Sequence, residues 1–392
     1  MRKFNFKITA RDKNTNARTG VITTGHGTIL TPGFVPVGTA ATVKTLTSEE
    51  IKMCNVDVFF VNTYHMLFRP GLQLIKAADG LHKFMNWQGN LMTDSAGFQI
   101  FSLENRRQKL SNQEMEKLVR VTERGVFFKS AWDGSSQFLG PKESIAAQQI
   151  LGADIMISLD HCTNYPITLK SAKEAMMRTN RWALACLEQH QKSKNQALYG
   201  VVQGSIFEEL RKEAAEEISK LPFEGFAIGS VANGKEPREL VFKVLGWTLP
   251  KLLMTKKPIH FLGIGEIEDI ILSVEKGIDT LDCVTPTRLG RMGWIFGKMS
   301  GRENKFRYSI EAKIYEADQR PLEEGCECYT CQHYSRAYVH HLFKIEEMLG
   351  YRLATIHNLW FFEKLMEEIR EAIRNNHFSE LKREWRVGHT PR

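Results

Sequence analysis

No stretch of the 392-residue chain stays apolar for the length that a membrane-spanning helix needs. The start, Met1-Arg2-Lys3-Phe4-Asn5, lacks the apolar core of a secretory signal. There is no low-complexity tract, and no internal repeat beyond a strand–helix period. Cysteine is sparse, with seven residues, and four of them (Cys54, Cys162, Cys186 and Cys283) are scattered. That usage argues against a secreted disulfide scaffold and fits a cytoplasmic protein with reduced thiols. Acidic residues are in deficit, 45 against 53 lysines and arginines, leaving a net charge of +8. Such an excess is a weak pointer to an acidic partner such as nucleic acid. What remains is ordinary for a globular protein: 42% apolar and 25% charged residues, in a length that suits one large domain with insertions or two domains.

The other three cysteines are crowded together as Cys326-x-Cys328-x-x-Cys331. Three thiolates and one downstream imidazole suit a tetrahedral Zn²⁺ with Cys₃His ligation. His357 lies beyond Arg336 to Leu349, an amphipathic stretch that reads as one helix and would bring the chain back. His340 and His341 are also near, whereas His333 is too close to the thiols to close a well-shaped loop. Four protein ligands would make the site closed and structural, because a catalytic zinc keeps one position open for water. A disulfide plus a spare thiol is the competing reading. The strain of bridging near-adjacent cysteines disfavours it.

From Phe34 to Thr285, short apolar runs alternate with amphipathic ones. Strands are expected at Phe34–Gly38, Asp57–Asn62, Asn90–Thr93, Asp154–Asp160, Leu198–Gln203, Gly225–Gly229, Pro258–Gly263 and Thr280–Cys283. Helices are expected between most of them, such as Phe207–Lys220 and Arg238–Leu249. Continuous apolar strands separated by helices imply a parallel sheet buried on both faces. Eight units predict an α/β fold, a (β/α)₈ barrel. An open doubly wound sheet is the runner-up, but no Gly-x-Gly-x-x-Gly loop follows the first strand. The expected domains are a small antiparallel sheet over 1–33, the barrel over 34–300 with an insertion at about 101–141, and a zinc-binding subdomain with closing helices over 301–392. Within the insertion, Gly125-Val126-Phe127-Phe128-Lys129 reads as part of a hairpin. The charged tail, Lys382-Arg383-Glu384-Trp385-Arg386, is expected to be exposed.

In such a barrel, reactive groups gather at the C-terminal ends of the strands. The strand ends here are unusually polar: Asn62-Thr63-Tyr64-His65, Asp94-Ser95-Ala96-Gly97-Phe98-Gln99, Asp160-His161-Cys162, Gln203-Gly204-Ser205, Gly229-Ser230, Gly263-Ile264-Gly265 and Asp282-Cys283-Val284. One strand-end aspartate is usually a helix cap. Three of them, Asp94, Asp160 and Asp282, with Gln203 and flanking glycines, point to a polar pocket. Paired carboxylates can serve as nucleophile and general acid/base at a glycosidic carbon. Asp160 and Gln203 can bond the polar edge of a ligand, Phe98 can stack on a flat ring, and the glycines at 229, 263 and 265 admit a planar ligand.

At these residues the chain resembles the tRNA-guanine transglycosylases of the bacterial queuosine pathway. The resemblance rests on Asp94-Ser95-Ala96-Gly97-Phe98-Gln99, Leu159-Asp160, Val202-Gln203-Gly204, Asp282-Cys283-Val284-Thr285-Pro286-Thr287-Arg288 and the zinc spacing, and it selects His357 as the fourth ligand. It implies exchange of the wobble guanine of tRNA for a 7-deazaguanine. Asp282 would be the nucleophile and Asp94 the general acid/base. Asp94, Ser95, Asp160, Gln203, Gly229 and Ser230 would surround the base, with Phe98 and Leu262 sandwiching it. Two segments match RNA-contacting stretches: Gly263-Ile264-Gly265-Glu266-Ile267-Glu268-Asp269 and Thr287-Arg288-Leu289-Gly290-Arg291. The family also implies one structural Zn²⁺, a homodimer and a tRNA anticodon loop as partner.

The chain departs from the usual bacterial pattern at Ala96, where glycine is usual, and at His161, where glutamate is usual. The loop Gly229-Ser230-Val231-Ala232-Asn233-Gly234-Lys235 replaces one ending in glutamate. Lys235 cannot accept that glutamate's hydrogen bond. Two readings of the departure stand: drift in a tolerant loop, with the aminomethyl-deazaguanine precursor as incoming base, or a change to queuine, with Asn233 bonding its diol. Other readings are a non-catalytic tRNA-binding partner subunit, disfavoured by the presence of both Asp94 and Asp282, and a relative that inserts deazaguanine into DNA, disfavoured by the Thr287-Arg288 loop and the zinc segment. A zinc hydrolase is disfavoured by the full set of protein ligands.

Overall fold

The computed structural model describes residues 4–101, 119–130, 132–191, 195–231 and 236–385. The chain opens with an antiparallel sheet of β1 (Asn5–Arg11), β2 (Arg18–Thr24) and β3 (Gly27–Thr31). Three strands of a second sheet follow: β4 (Gly33–Pro36), β5 (Val58–Val61) and β6 (Asn90–Thr93). An antiparallel insertion comes next, with β7 (Val119–Val121), β8 (Val126–Lys129) and β9 (Ser136–Leu139). The second sheet resumes with β10 (Ile155–Ile157), β11 (Ala197–Val202), β12 (Gly225–Ile228), β13 (Ile259–Phe261) and β14 (Thr280–Cys283). Its eight strands run in the order β4-β14-β13-β12-β11-β10-β6-β5, all pairings parallel, and a bridge from Val37 to Phe60 joins the two end strands into a ring.

The barrel follows from strand composition. β4, β5, β6, β10, β11, β12 and β13 are buried at every residue, as parallel strands covered on both faces must be. Tyr199 and Gly225 face each other across β11 and β12, and a Cβ at 225 would lie 2.5 Å from the tyrosine ring. Glycine there makes room for a buried aromatic. The helices between strands carry their own start signals. Thr47 and Glu50 form a capping box before Ser48–Met53, and Pro141 opens Pro141–Leu151.

Several strands are shorter than expected. The runs Asp154–Asp160 and Pro258–Gly263 pair only over Ile155–Ile157 and Ile259–Phe261, so Asp160 and Gly263 stand in the loops beyond the ladder. The single helix expected over Arg336 to Leu349 ends at Lys344. Glu346 takes a left-handed φ of 56°, and a new helix of 27 residues, Met348–Arg374, carries His357. The expected exposed tail is corrected at Trp385, which is buried against Phe306 and Phe361 and donates its indole N–H to Glu368. Arg386 lies outside the described residues, as does the insertion over 102–118. No helix among the described residues is long and apolar enough to cross a membrane.

Candidate active site

The end of β6 delivers Asp94 into a shell of N–H donors. Its carboxylate accepts from Thr63 N at 2.9 Å, Ala96 N at 3.1 Å, Gln99 Nε2 at 2.7 Å and the side-chain amide of Asn62. Thr63 also donates its hydroxyl to the Asp94 carbonyl at 2.6 Å. Burial pushes the Asp94 carboxyl above the ordinary carboxylate range, while the N–H bonds pull it down. Ala96 holds a left-handed φ of 69°, a conformation for which glycine is better suited. Its methyl is fully buried in the main core, which offsets part of that strain.

Around the ring from Asp94, β10, β11 and β12 build one polar arc. Asp160 accepts from Gln203 Nε2 at 2.6 Å and from the Ser95 hydroxyl at 3.3 Å. Burial, helped by the nearby Asp94 charge and opposed by those bonds, pushes the Asp160 carboxyl up to about 6. The Gln203 carbonyl oxygen is buried and has no partner among the described residues. A Cβ on Gly229 would stand 2.7 Å from Gln203 Nε2 and 3.4 Å from Asp160, so only glycine leaves this arc open. Ser230 adopts φ 54°, and its hydroxyl accepts from Thr163 N at 2.8 Å. Beneath the arc, fully buried Arg211 donates to three carbonyls, those of Val202, Ser205 and Gly229. Nothing in the sequence singles out Arg211, because one arginine on an amphipathic helix reads as solvated.

The third carboxylate stands on β14. Asp282 accepts from Gly263 N at 3.1 Å and from His260 Nε2, also at 3.1 Å. A carboxylate only accepts, so this imidazole nitrogen carries the proton. His260 is fully buried, and its Nδ1 meets the Thr280 hydroxyl at 2.9 Å. No sequence motif points to His260. The available signal was one polar residue inside an apolar strand, Ile259-His260-Phe261. Phe98 is half exposed, and Leu262 is partly buried beside the barrel interior. His161 turns away from the Asp160 arc to Arg178, whose guanidinium lies 2.9 Å from Nδ1, and packs near Phe101.

The two segments matched to RNA contacts divide by exposure. Ile264, Ile267, Thr287 and Gly290 are buried, and Glu266, Glu268 and Asp269 face Arg307, Arg302 and Arg238. Arg288 is exposed, while Arg291 is partly buried with one guanidinium bond to Thr287 O at 2.7 Å. The departures Asn233 and Lys235 lie outside the described residues.

Cys326, Cys328, Cys331 and His357 come together as a cluster that could hold a metal ion. His357 Nδ1 lies 3.8, 3.5 and 3.3 Å from the three sulfurs. Its other nitrogen donates to Phe296 O at 2.8 Å, which fixes the tautomer and leaves Nδ1 free to ligate. His340 is turned to Ile310 O and His333 to Tyr329 O. The next residue on the helix, Asn358, ties the cluster to the mouth, because its amide donates to Pro286 O and Trp294 O.

A closed parallel barrel with three carboxylates at its mouth, beside a separate Cys₃His cluster that could hold a metal ion, defines a (β/α)₈ enzyme. The model of the family described as TGT, queuine tRNA-ribosyltransferase, matches residues 12–391. The queuine tRNA-ribosyltransferase of Thermoanaerobacter sp. (strain X514) is 43% identical over 385 residues, covering 98% of this chain and 97% of the relative. Those of Moorella thermoacetica and Pelotomaculum thermopropionicum are 43% and 44% identical, over 96% and 94% of the chain and 95% and 94% of the relatives. The chain belongs to the tRNA-guanine transglycosylase family, and is an enzyme of the pentosyltransferase class.

Proposed function

We propose that the protein exchanges the wobble guanine of GUN-anticodon tRNAs for a 7-deazaguanine by double displacement. The observation that carries this reading is the set of three mouth carboxylates, each in a different environment. Asp282 is oriented by His260 and Gly263 N–H groups and keeps a partly exposed carboxylate for attack on ribose C1′. The C1′–N9 bond then breaks and the electron pair leaves with guanine. Asp94, raised by burial, is suited to protonate that leaving group. The incoming base then gives its N9 proton to Asp94, and N9 displaces Asp282 from C1′. The glycosidic bond energy is conserved in the ester, so no nucleotide cofactor is required. Asp160 and the Gln203 oxygen, which has no partner among the described residues, accept from N–H groups on the base edge, and Gly229 leaves room for its plane. Phe98 and Leu262 would flank the ring. The target base must leave its stack, which an anticodon loop permits at low cost. Arg288, Arg291 and the net charge of +8 serve the polyanion. Such work belongs to the cytoplasm.

Zn²⁺ fits the Cys₃His cluster. Tetrahedral bonds of ordinary length imply sulfur–nitrogen separations of about 3.5 Å, and those present span 3.3 to 3.8 Å. When bound, the ion would cross-link the Cys loop to the helix that positions Pro286 through Asn358, a structural role. A homodimer is supported by exposed aromatic surface on the same subdomain. Tyr329 and His333 stack at 4.5 Å, Tyr334 and Tyr338 at 5.3 Å, and exposed Met53 lines the adjoining hollow.

The test is guanine release from a tRNA with G at the wobble position. It is run with the aminomethyl-deazaguanine, with queuine and with no added base, using Asp282→Asn as control. Base-dependent release that the control lacks is expected. The two base arms decide whether Asn233 and Lys235 select queuine. No release from tRNA with any base would overturn the reading. Deazaguanine insertion into DNA, or tRNA binding without exchange, would then take its place.

A further inference from the structure

The insertion after β6 presents a face that base exchange at Asp282 does not use. A three-stranded sheet packed on one side ordinarily turns polar residues outward. Here Val119, Val126, Phe128 and Leu139 are buried inward. The outward row is Arg120, Phe127 and Phe138, in register across β7, β8 and β9. Phe127 is 40% exposed. The Arg120 guanidinium stands 4.7 Å from its centroid, and the Phe138 ring lies 4.8 Å away. At the tip of the β8–β9 hairpin, Trp132 is 47% exposed and the Arg69 guanidinium lies 3.9 Å from its ring. Two exposed rings are thus each paired with a guanidinium. At the other end of the sheet, Arg124 is exposed in the β7–β8 turn, and its neighbour Glu123 is occupied by Arg178 and Arg181.

This sheet is rooted on the barrel mouth. Phe128 packs against Tyr64 and Phe68, with centroids 6.1 and 6.2 Å apart, directly beyond Asn62 and Thr63, which hold Asp94. We propose that Arg120, Phe127, Phe138, Trp132 and Arg69 form a stacking platform for single-stranded nucleotides of the substrate RNA next to the exchanged base. The proposal rests on the reading of tRNA as substrate. Bases stack on aromatic and guanidinium planes whatever their sequence, while arginines pair with phosphates. Guanidiniums that can reach phosphates beside rings that can stack on bases offer a polynucleotide two kinds of contact at once.

The test compares Phe127→Ala and Trp132→Ala with the full-length wild type. Fluorescence anisotropy with an anticodon stem–loop gives affinity, and labelled-guanine exchange gives KM for RNA. Each variant is expected to weaken RNA affinity and raise this KM about tenfold, with the KM for the incoming base and the unfolding midpoint unmoved. Phe127→Tyr and Trp132→Phe should restore binding. Arg120→Gln should flatten the salt dependence of log Kd by somewhat less than one unit of slope. Alanine variants that bind RNA within about twofold of wild type would overturn the platform. Loss of subunit association with RNA affinity intact would overturn it too, making the face a protein interface. Wild-type protein that exchanges no guanine in tRNA would sink the functional reading instead, and the anisotropy would still decide the platform.

Discussion

Asp279 and Asp282 stand three residues apart, at opposite ends of the same barrel strand, and their neighbours differ in charge. Asp279, just before β14, takes two guanidinium bonds from Arg18 at 2.9 and 2.6 Å, with both side chains fully buried. At the same end Asp154 is met by His26 at 2.8 Å, by His82 at 3.5 Å and by Leu91 N. These acids pin the N-terminal sheet and the helix Leu81–Met85 to the barrel floor. At the mouth, the bonds described for Asp94, Asp160 and Asp282 come from amides, a hydroxyl, an imidazole and backbone N–H groups. A fixed cationic partner occupies a carboxylate's oxygens and leaves it spent, even at Asp279, where burial pushes the carboxyl up against the pull of Arg18. Neutral donors orient it while leaving its charge or proton available for chemistry.

Paired substitutions at the two ends should separate these roles. Asp282→Asn is expected to lower exchange at least about 1,000-fold, because the proposed nucleophile is lost. Its thermal midpoint should stay at the wild-type value. Asp279→Asn should do the reverse. It leaves Arg18 buried without its counter-charge, a loss of about 3–5 kcal/mol in denaturant unfolding, with kcat per folded molecule retained. If Asp279→Asn abolished exchange without loss of stability, the two ends would not differ in role.

His260 tests the mouth from within. His260→Phe keeps a ring in the core but removes the N–H that orients Asp282. A hydrogen bond to a charged group contributes about 1.5–3 kcal/mol, so kcat should fall about 10- to 100-fold. His260→Gln retains an N–H donor and should recover part of it. Equal kcat in the phenylalanine and glutamine variants would show that His260 only fills space.

The mouth was more legible in sequence than the floor, for a physical reason. Asp94, Asp160 and Asp282 each follow a short apolar run, so a strand-end carboxylate stands out against what a buried ladder should contain. Asn90–Thr93 and Thr280–Cys283 were bounded correctly on the same ground. Arg18 finds Asp279 across 261 residues, and no local period links them. Asp154 likewise reads as the first residue of a strand, and no local pattern links it to His26. His260 was hidden because one histidine in an apolar strand reads as a satisfied core side chain. The break at Ile345-Glu346 carries neither glycine nor proline, so the chain reads through it as one helix. Trp385 is masked by the charges around it, although it follows a short helix, Phe378–Glu384, whose Phe378 and Leu381 are buried with it.

The smallest effect gives the sharpest contrast, since it predicts opposite signs at the two ends. Asp160 is raised in the folded protein to about 6 from an ordinary 3.8. For such a group, the stability it contributes is full below the unfolded value and is lost as pH rises through the folded one. Above pH 6 its buried charge should cost about 1–3 kcal/mol. Asp160→Asn should therefore unfold at a higher temperature than wild type at pH 8, and the gap should close by pH 4. The same variant should need a higher concentration of incoming base, because an amide cannot accept on both atoms. For Asp154 burial pulls upward, but the bonds to His26 and His82 outweigh it and hold the carboxyl below the usual range. Its stabilisation is present above the unfolded value and lost as pH falls through the folded one. Asp154→Asn should thus be less stable than wild type at pH 8. Unfolding curves for the two asparagine variants that shift the same way at pH 8 would remove the distinction between a carboxylate kept for structure and one kept for chemistry.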